Sequence, residues 1–166
     1  MALFVGTDVN KLDRKGRVSV PASFRAALAG QSFAGIVAFP SFKHKALECC
    51  AIDFMEQMAL SLYEIDTFSA QQDDLAETLF AEANKLPFDS EGRIVLPALL
   101  VKHAGLAEMA AFVGRGPRFQ IWEPKAHEAY RAAARERVLR QNMTLKVRPP
   151  KDPAPGPGGE SGGGGP

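Results

Sequence analysis

A nine-residue stretch occurs twice in this chain, first as Asp13-Arg14-Lys15-Gly16-Arg17-Val18-Ser19-Val20-Pro21 and again as Asp89-Ser90-Glu91-Gly92-Arg93-Ile94-Val95-Leu96-Pro97. Asp, Gly, Arg and Pro return at identical spacing, and the apolar or small positions between Arg and Pro return in kind. Ala22 and Ala98 extend the match by one. A coincidence of that length within 166 residues points to an internal duplication. Any fold proposed for the chain must therefore place two equivalent units.

Each copy has a mechanical reading. Asp and Gly three residues apart mark a tight turn, because Asp bonds its own downstream backbone and Gly accepts a positive φ. Val18-Ser19-Val20 and Ile94-Val95-Leu96 suit short buried strands. Pro21 and Pro97 cannot donate to a ladder but fit the first turn of a helix. Helical segments are expected over residues 23–28 and 99–104, closed by Gly30 and Gly105. Each copy thus reads as strand, turn, strand, short helix.

The pattern DxxGRxxxP followed by a short helix resembles the swapped-hairpin barrel of the AbrB/SpoVT type. Two such copies, the first opening close to Met1, resemble the MraZ family of bacterial transcriptional regulators over most of residues 1–148. The resemblance implies an α+β fold in which two tandem repeats form one pseudo-symmetric β-barrel with peripheral helices. It also implies a regulator that binds short direct repeats of double-stranded DNA in the promoter of the division and cell-wall gene cluster. Family members assemble into rings, so a ring homo-oligomer displaying its turns around an edge is expected, cytoplasmic and nucleoid-associated.

The rest of the chain fills in this plan. Residues 1–66 read as the first repeat with a trailing helix, 67–85 as a linking helix, and 86–148 as the second repeat with a basic trailing helix. Strands are expected over residues 3–12, 31–39, 47–51, 109–114 and 119–123. Phe54, Met58, Leu62 and Ile65 recur at helical spacing, as do Leu75, Leu79 and Ala83. Asp53 is the expected N-cap of the first of these helices, and Asp66, Thr67 or Ser69 breaks the run. Pro124 opens a helix reaching toward Asn142. The Pro/Gly-rich tail, residues 149–166, cannot bury enough apolar surface to offset its ordering entropy and is expected to be disordered.

Several function classes find no support in the residues. His44, His103 and His127 are scattered, and no HExxH, GxSxG, Walker-type or GxGxxG pattern occurs. Adjacent Cys49 and Cys50 suit neither a disulfide nor a CxxC metal knuckle and read as small buried hydrophobes. No secretory leader or span of roughly 18 apolar residues is evident, which favours a cytoplasmic chain. The expectation is a non-enzyme with no cofactor, no metal, no small-molecule substrate and no membrane partner.

Charge is segregated. Residues 1–48 carry seven Lys or Arg against three acids, residues 49–92 one Lys against ten acids, and residues 93–148 eleven bases against four acids. The acidic segment either faces water or complements a basic surface on a neighbouring subunit. The arginines of the closing helix either pair with that acidic segment, within or between chains, or contact DNA.

The candidate DNA-binding residues centre on the first turn: Arg14, Lys15, Gly16 and Arg17, with Lys11 and Arg25 as further phosphate contacts. Three cations beside a tight turn can approach phosphates or reach guanine O6 and N7. In the second turn Ser90 and Glu91 replace Arg14 and Lys15, leaving Arg93 as its cation. Arg17 and Arg93 have a second reading, as turn-stabilising partners of Asp13 and Asp89 four residues earlier. Arg115 and Arg118, around the Gly114–Pro117 turn, read as solvated. The rival to a DNA-binding regulator is an AbrB-like interaction or antitoxin-type module that acts through its helices.

Overall fold

The computed structural model describes residues 1–151, so most of the Pro/Gly-rich tail lies outside the described residues. The first copy contributes strands β1 (Thr7–Lys11) and β2 (Arg17–Ser19), helix α1 (Ala22–Ala27), strands β3 (Gly35–Pro40) and β4 (Ala46–Cys50), and helix α2 (Ile52–Tyr63). Helix α3 (Ala70–Ala76) follows and runs on as a π-helical turn over Glu77–Ala81. The second copy then repeats the order: β5 (Asn84–Pro87), β6 (Arg93–Val95), α4 (Ala98–His103), β7 (Met109–Gly114), β8 (Phe119–Trp122) and α5 (Pro124–Arg140).

The copies are not side by side. Each passes its first strand to the other's hairpin. β1 lies against β7, and β5 lies against β3, giving an antiparallel sheet of order β1-β7-β8-β4-β3-β5. Asp8 pairs with Phe112 where its counterpart Asn84 pairs with Ala38, so the register obeys the same two-fold relation as the sequence. The relation passes through two symmetric pairings: Glu48 opposite Gln120 in β4–β8, and Val18 opposite Ile94 in the separate β2–β6 ribbon. The sheet itself stays open. β1 and β5 are its edges, and a bridge between Leu12 and Val18 joins the β1 end to the ribbon. The architecture is α+β, and the closed barrel expected from the sequence is here an open sheet capped by a two-stranded ribbon.

The core lies between the sheet, the ribbon and helices α1 and α4. Val18, Val20, Ile94 and Leu96 point into it from the ribbon, as alternation along a half-buried strand requires. Phe4, Phe24 and Phe119 meet there with ring centroids 4.9–5.3 Å apart. Burial of each ring contributes about 2–3 kcal/mol. The sheet's other face carries the trailing helices. Val37, Phe39 and Cys50 pack under Met55, Phe54 and Met58 of α2. Ala46, Ala111, Val113 and Trp122 pack under Tyr130 of α5. Both cysteines are buried, and burial raises both thiols, Cys50 to about 12, so they behave as core groups.

Two local expectations need correction. Helix α2 starts two residues earlier than it would if Asp53 capped it. Ala51 is the capping residue, and Asp53 instead accepts a hydrogen bond from Gln31 Nε2 at 3.2 Å, while its backbone N–H donates to Gln31 Oε1 at 3.3 Å. A partner 22 positions away outweighed the local rule. Arg118 is not simply solvated. It pairs with Glu48, which also accepts from Gln120 Nε2 at 2.6 Å, and Gln120 in turn accepts from Trp122 Nε1 at 2.8 Å. A buried carboxylate at the β4–β8 pairing requires such partners.

Candidate nucleic-acid interface

The two turns are built by the same bonds. Asp13 Oδ1 accepts from the backbone N–H of Lys15 at 2.9 Å and of Arg17 at 2.8 Å, and Asp13 Oδ2 accepts from Arg17 Nε at 2.6 Å. Asp89 repeats this set with Glu91, Arg93 and Arg93 Nε at 2.8–2.9 Å. The Arg17 N–H holds the Asp13 carboxyl below its ordinary range, with the Arg17 guanidinium adding to the effect; Arg93 does the same for Asp89. Gly16 and Gly92 take φ of +82° and +73°, the left-handed conformation that a side chain resists.

The turns also lock across the two-fold relation. Leu96 N–H donates to Gly16 O at 2.8 Å, and Val20 N–H donates to Gly92 O at 3.1 Å. Each turn is therefore pinned to the other copy's strand. A Cβ at Gly16 would sit 2.6 Å from Leu96 O, which the backbone cannot relieve, whereas a Cβ at Gly92 would meet the flexible Arg25 side chain at 2.7 Å. On the ribbon's outer face Arg17 stands opposite Val95, and Ser19 stands opposite Arg93. The arginines of both copies thus share one surface.

Identical scaffolds carry different charges. Arg14 and Lys15 are exposed at the tip of the first turn, and neither makes an ion pair among the described residues. Arg17 beside them is held by Asp13. At the second turn Arg93 is bonded to Asp89 at 2.8 Å and lies 3.5 Å from Glu91. Its pKa is raised first by the Asp89 hydrogen bond, then by the charges of Asp89, Glu91 and Asp13. The first tip offers cations; the second offers a hydroxyl and a carboxylate.

Strand exchange redistributes the remaining candidates. Lys11 ends β1 and leads into the first turn, exposed. Arg25 belongs to the other turn: it lies over Gly92, lines a groove with Asp89 and Ser90, and donates from Nε to Val20 O at 3.1 Å. The first turn instead shares its groove with α4, where Ala98, Val101 and Lys102 line it beside Arg14, Lys15 and Gly16. Lys102 was missed in the sequence because it follows the second copy's motif. Only the exchange brings it to the first turn.

No helix among the described residues is long and apolar enough to cross a membrane, and no cluster of three or more His, Cys, Asp or Glu is placed to hold a metal. The fold and its paired turns define a class: a tandem duplication whose copies exchange first strands around Asp-capped basic turns. A family model described as "MraZ protein, putative antitoxin-like" matches residues 3–78 and again 79–147. The transcriptional regulator MraZ of Rickettsia canadensis (strain McKiel) is 40% identical over 146 residues, covering 88% of this chain and 98% of that protein. The Rickettsia rickettsii (strain Sheila Smith) protein of the same name is 41% identical over the same length. The chain belongs to the MraZ family.

Proposed function

We propose that this chain is a DNA-binding transcriptional regulator that reads short direct repeats in the promoter of the division and cell-wall gene cluster, as a ring homo-oligomer presenting its first turns. The observation that carries the reading is the pair Arg14–Lys15: two exposed, unneutralised cations at the tip of a turn held rigid by Asp13 and pinned to Leu96. Preorganised cations lose little freedom on meeting phosphates, and Arg is the favoured donor to guanine. Arg17 and Lys11 flank them, with Lys102 across the groove. Arg93 and Arg25 form a lesser, partly neutralised counterpart at the second turn.

One turn alone neutralises two or three phosphates, which gives weak and salt-sensitive binding. Display of several copies raises apparent affinity by roughly 10²–10⁴ without new contacts, so the repeats in the DNA and the copies in the oligomer belong to one mechanism. The exchanged first strands support reading each chain as a swapped-hairpin architecture of AbrB type. Residues 67–85 then link two repeats, 1–66 and 86–148, that fold as one unit.

The test is a titration onto promoter DNA with several short repeats and onto a one-repeat control, at two salt concentrations. Wild type binds the multi-repeat DNA far more tightly and with a steep salt dependence. The Arg14→Ala/Lys15→Ala chain loses most of that binding while keeping its oligomeric size. Intact DNA binding by that chain removes the site assignment and favours an interaction module working through its helices.

A further inference from the structure

The two copies fill the outer face of the sheet unequally. Cys50 of β4 stands where Trp122 stands in β8, and Met58 of α2 stands where Tyr130 stands in α5. In the second copy the Trp122 and Tyr130 rings stack at 5.1 Å and fill the space between strand and helix. Cys50 and Met58 are smaller, and the first copy is left with room. A cavity of about 440 Å³ opens there, between α2 and α5 and over the Glu48–Gln120 pairing. That is the size of a small-molecule site.

The cavity has two unlike walls. Phe39, Phe54, Met58 and Leu79 make one side apolar. The opposite side is cationic: the β7–β8 turn brings Arg115 and Arg118, and the β3–β4 hairpin brings Lys43 and His44. Six residues separate Pro40 from Leu47, against four between Gly114 and Phe119, so the first hairpin is the longer one. Its tip forms a lip on the cavity. Ser41 Oγ shapes that lip by accepting from the backbone N–H of Lys43 at 3.3 Å and of His44 at 3.2 Å. Phe42 is left 57% exposed there, its ring 6.5 Å from Phe39.

Positive charge is in excess at this lip. Glu48 is the one carboxylate lining the cavity among the described residues, and Arg118 and Gln120 already engage it. Arg115 and Lys43 have no ion pair among the described residues. Arg115 lies instead over the Tyr130 ring, 5.8 Å from its centroid. Burial, and after it the charge of Arg115, holds the His44 imidazole below its ordinary range, so the positive field reaches into the site.

We infer that this cavity binds a small organic acid with a ring-shaped apolar body and one carboxylate. The ring body lies against Phe39, Phe54 and Met58, where aromatic and thioether contacts favour it. The carboxylate meets Arg115 and Lys43, the cations left without a partner. A polyphosphate ligand fits poorly, because it would set further negative charge against the apolar wall and Glu48. The ligand touches α2 from one copy and Tyr130 of α5 from the other, so it bridges the halves of the fold. None of the lining residues belongs to either Asp-capped turn, and the site stands apart from the DNA reading.

Calorimetry on the full chain tests this with naphthylacetate as the probe and naphthylacetamide as its uncharged counterpart. One naphthylacetate binds per chain, and the amide binds about tenfold more weakly or worse, since it forfeits the charge-assisted bonds. Arg115→Gln, a change at an exposed turn position, weakens the acid by a similar factor and leaves the amide as it was. Met58→Trp fills the cavity as Trp122 and Tyr130 fill the other copy, and removes binding of both. The Arg14→Ala/Lys15→Ala chain binds the probe as wild type does.

Absence of heat at millimolar naphthylacetate overturns the inference, as does equal affinity for acid and amide. Unchanged affinity in Arg115→Gln overturns it too, whatever becomes of the Met58 variant. Loss of probe binding in the Arg14→Ala/Lys15→Ala chain would move the acid to the first turn and has the same effect. Failure of DNA binding with these results intact touches only the regulator reading.

Discussion

The first and second turns of this protein share every backbone bond and differ in what they show to solvent. Asp13 and Asp89 cap their turns with the same three hydrogen bonds, and Gly16 and Gly92 sit in the same left-handed region. At the positions between Asp and Gly, which no fold requirement constrains, one copy carries Arg14-Lys15 and the other Ser90-Glu91. The comparison separates scaffold from function. Residues common to both turns explain the structure, and residues that differ are free to do something else. Arg17 and Arg93 belong with the first group, since each is bonded to its Asp.

Substitution of the two glycines breaks the scaffold's symmetry most strongly. Gly16→Ala is expected to cost about 3 kcal/mol, the left-handed penalty plus a backbone clash, against about 1–2 kcal/mol for Gly92→Ala, where Arg25 can move aside. Urea unfolding of the two variants measures the difference. Equal losses would mean that the close approach of Gly16 to Leu96 is not the constraint it is taken to be.

Charge transplantation comes next in size. Ser90→Arg/Glu91→Lys should tighten promoter binding about tenfold or more and steepen the salt slope by about two units, since two further cations gain phosphates. The fold should not change, because neither side chain holds the turn. Fluorescence anisotropy at several salt concentrations reads both quantities.

Acid acts on the two regions in order. His44 and His127 are lowered chiefly by burial, with neighbouring arginines adding to the effect, so the folded state disfavours their protonation. Stability is full above the ordinary histidine value of about 6.5 and declines as pH falls below it, loosening the Trp122–Tyr130 layer first. The turns hold longer. Asp13 and Asp89 are lowered, so their contribution is full above the ordinary aspartate value of about 3.9 and is lost as pH falls through the lower folded value. Tryptophan fluorescence against pH should move before global unfolding, and Asp13→Asn and Asp89→Asn should shift the acid midpoint alike.

The smallest effect expected is on DNA binding by Arg93→Ala. Its guanidinium already has Asp89 and Glu91, so less than tenfold weakening is predicted under conditions where the first-turn variant fails. A large loss would show that the second turn contributes directly.

Most of the local plan was legible in the sequence. The turns, strands and short helices are each specified within about ten residues, by Asp, Gly and Pro at fixed offsets. The helical run did break in the segment holding Asp66, Thr67 and Ser69, between α2 and α3, and Pro124 did open α5. What was not legible lies between distant residues. The sequence grouped Arg25 with the first turn because it follows that turn along the chain; strand exchange carries it to the second and brings Lys102 in its place. The Glu48–Arg118–Gln120 network was hidden for the same reason, since its members meet only when β4 and β8 pair. The π-helical turn after α3 has no local sequence signature.

The most direct test converts the first turn into the second. Arg14→Ser/Lys15→Glu keeps Asp13, Gly16, Arg17 and every turn hydrogen bond, and changes only the displayed charge. Its affinity for multi-repeat promoter DNA should fall at least 100-fold at physiological salt, with the salt slope reduced by about two and the unfolding midpoint unchanged. Unaltered affinity in a folded chain of normal size would contradict the claim that the tip of the first turn carries the DNA contact.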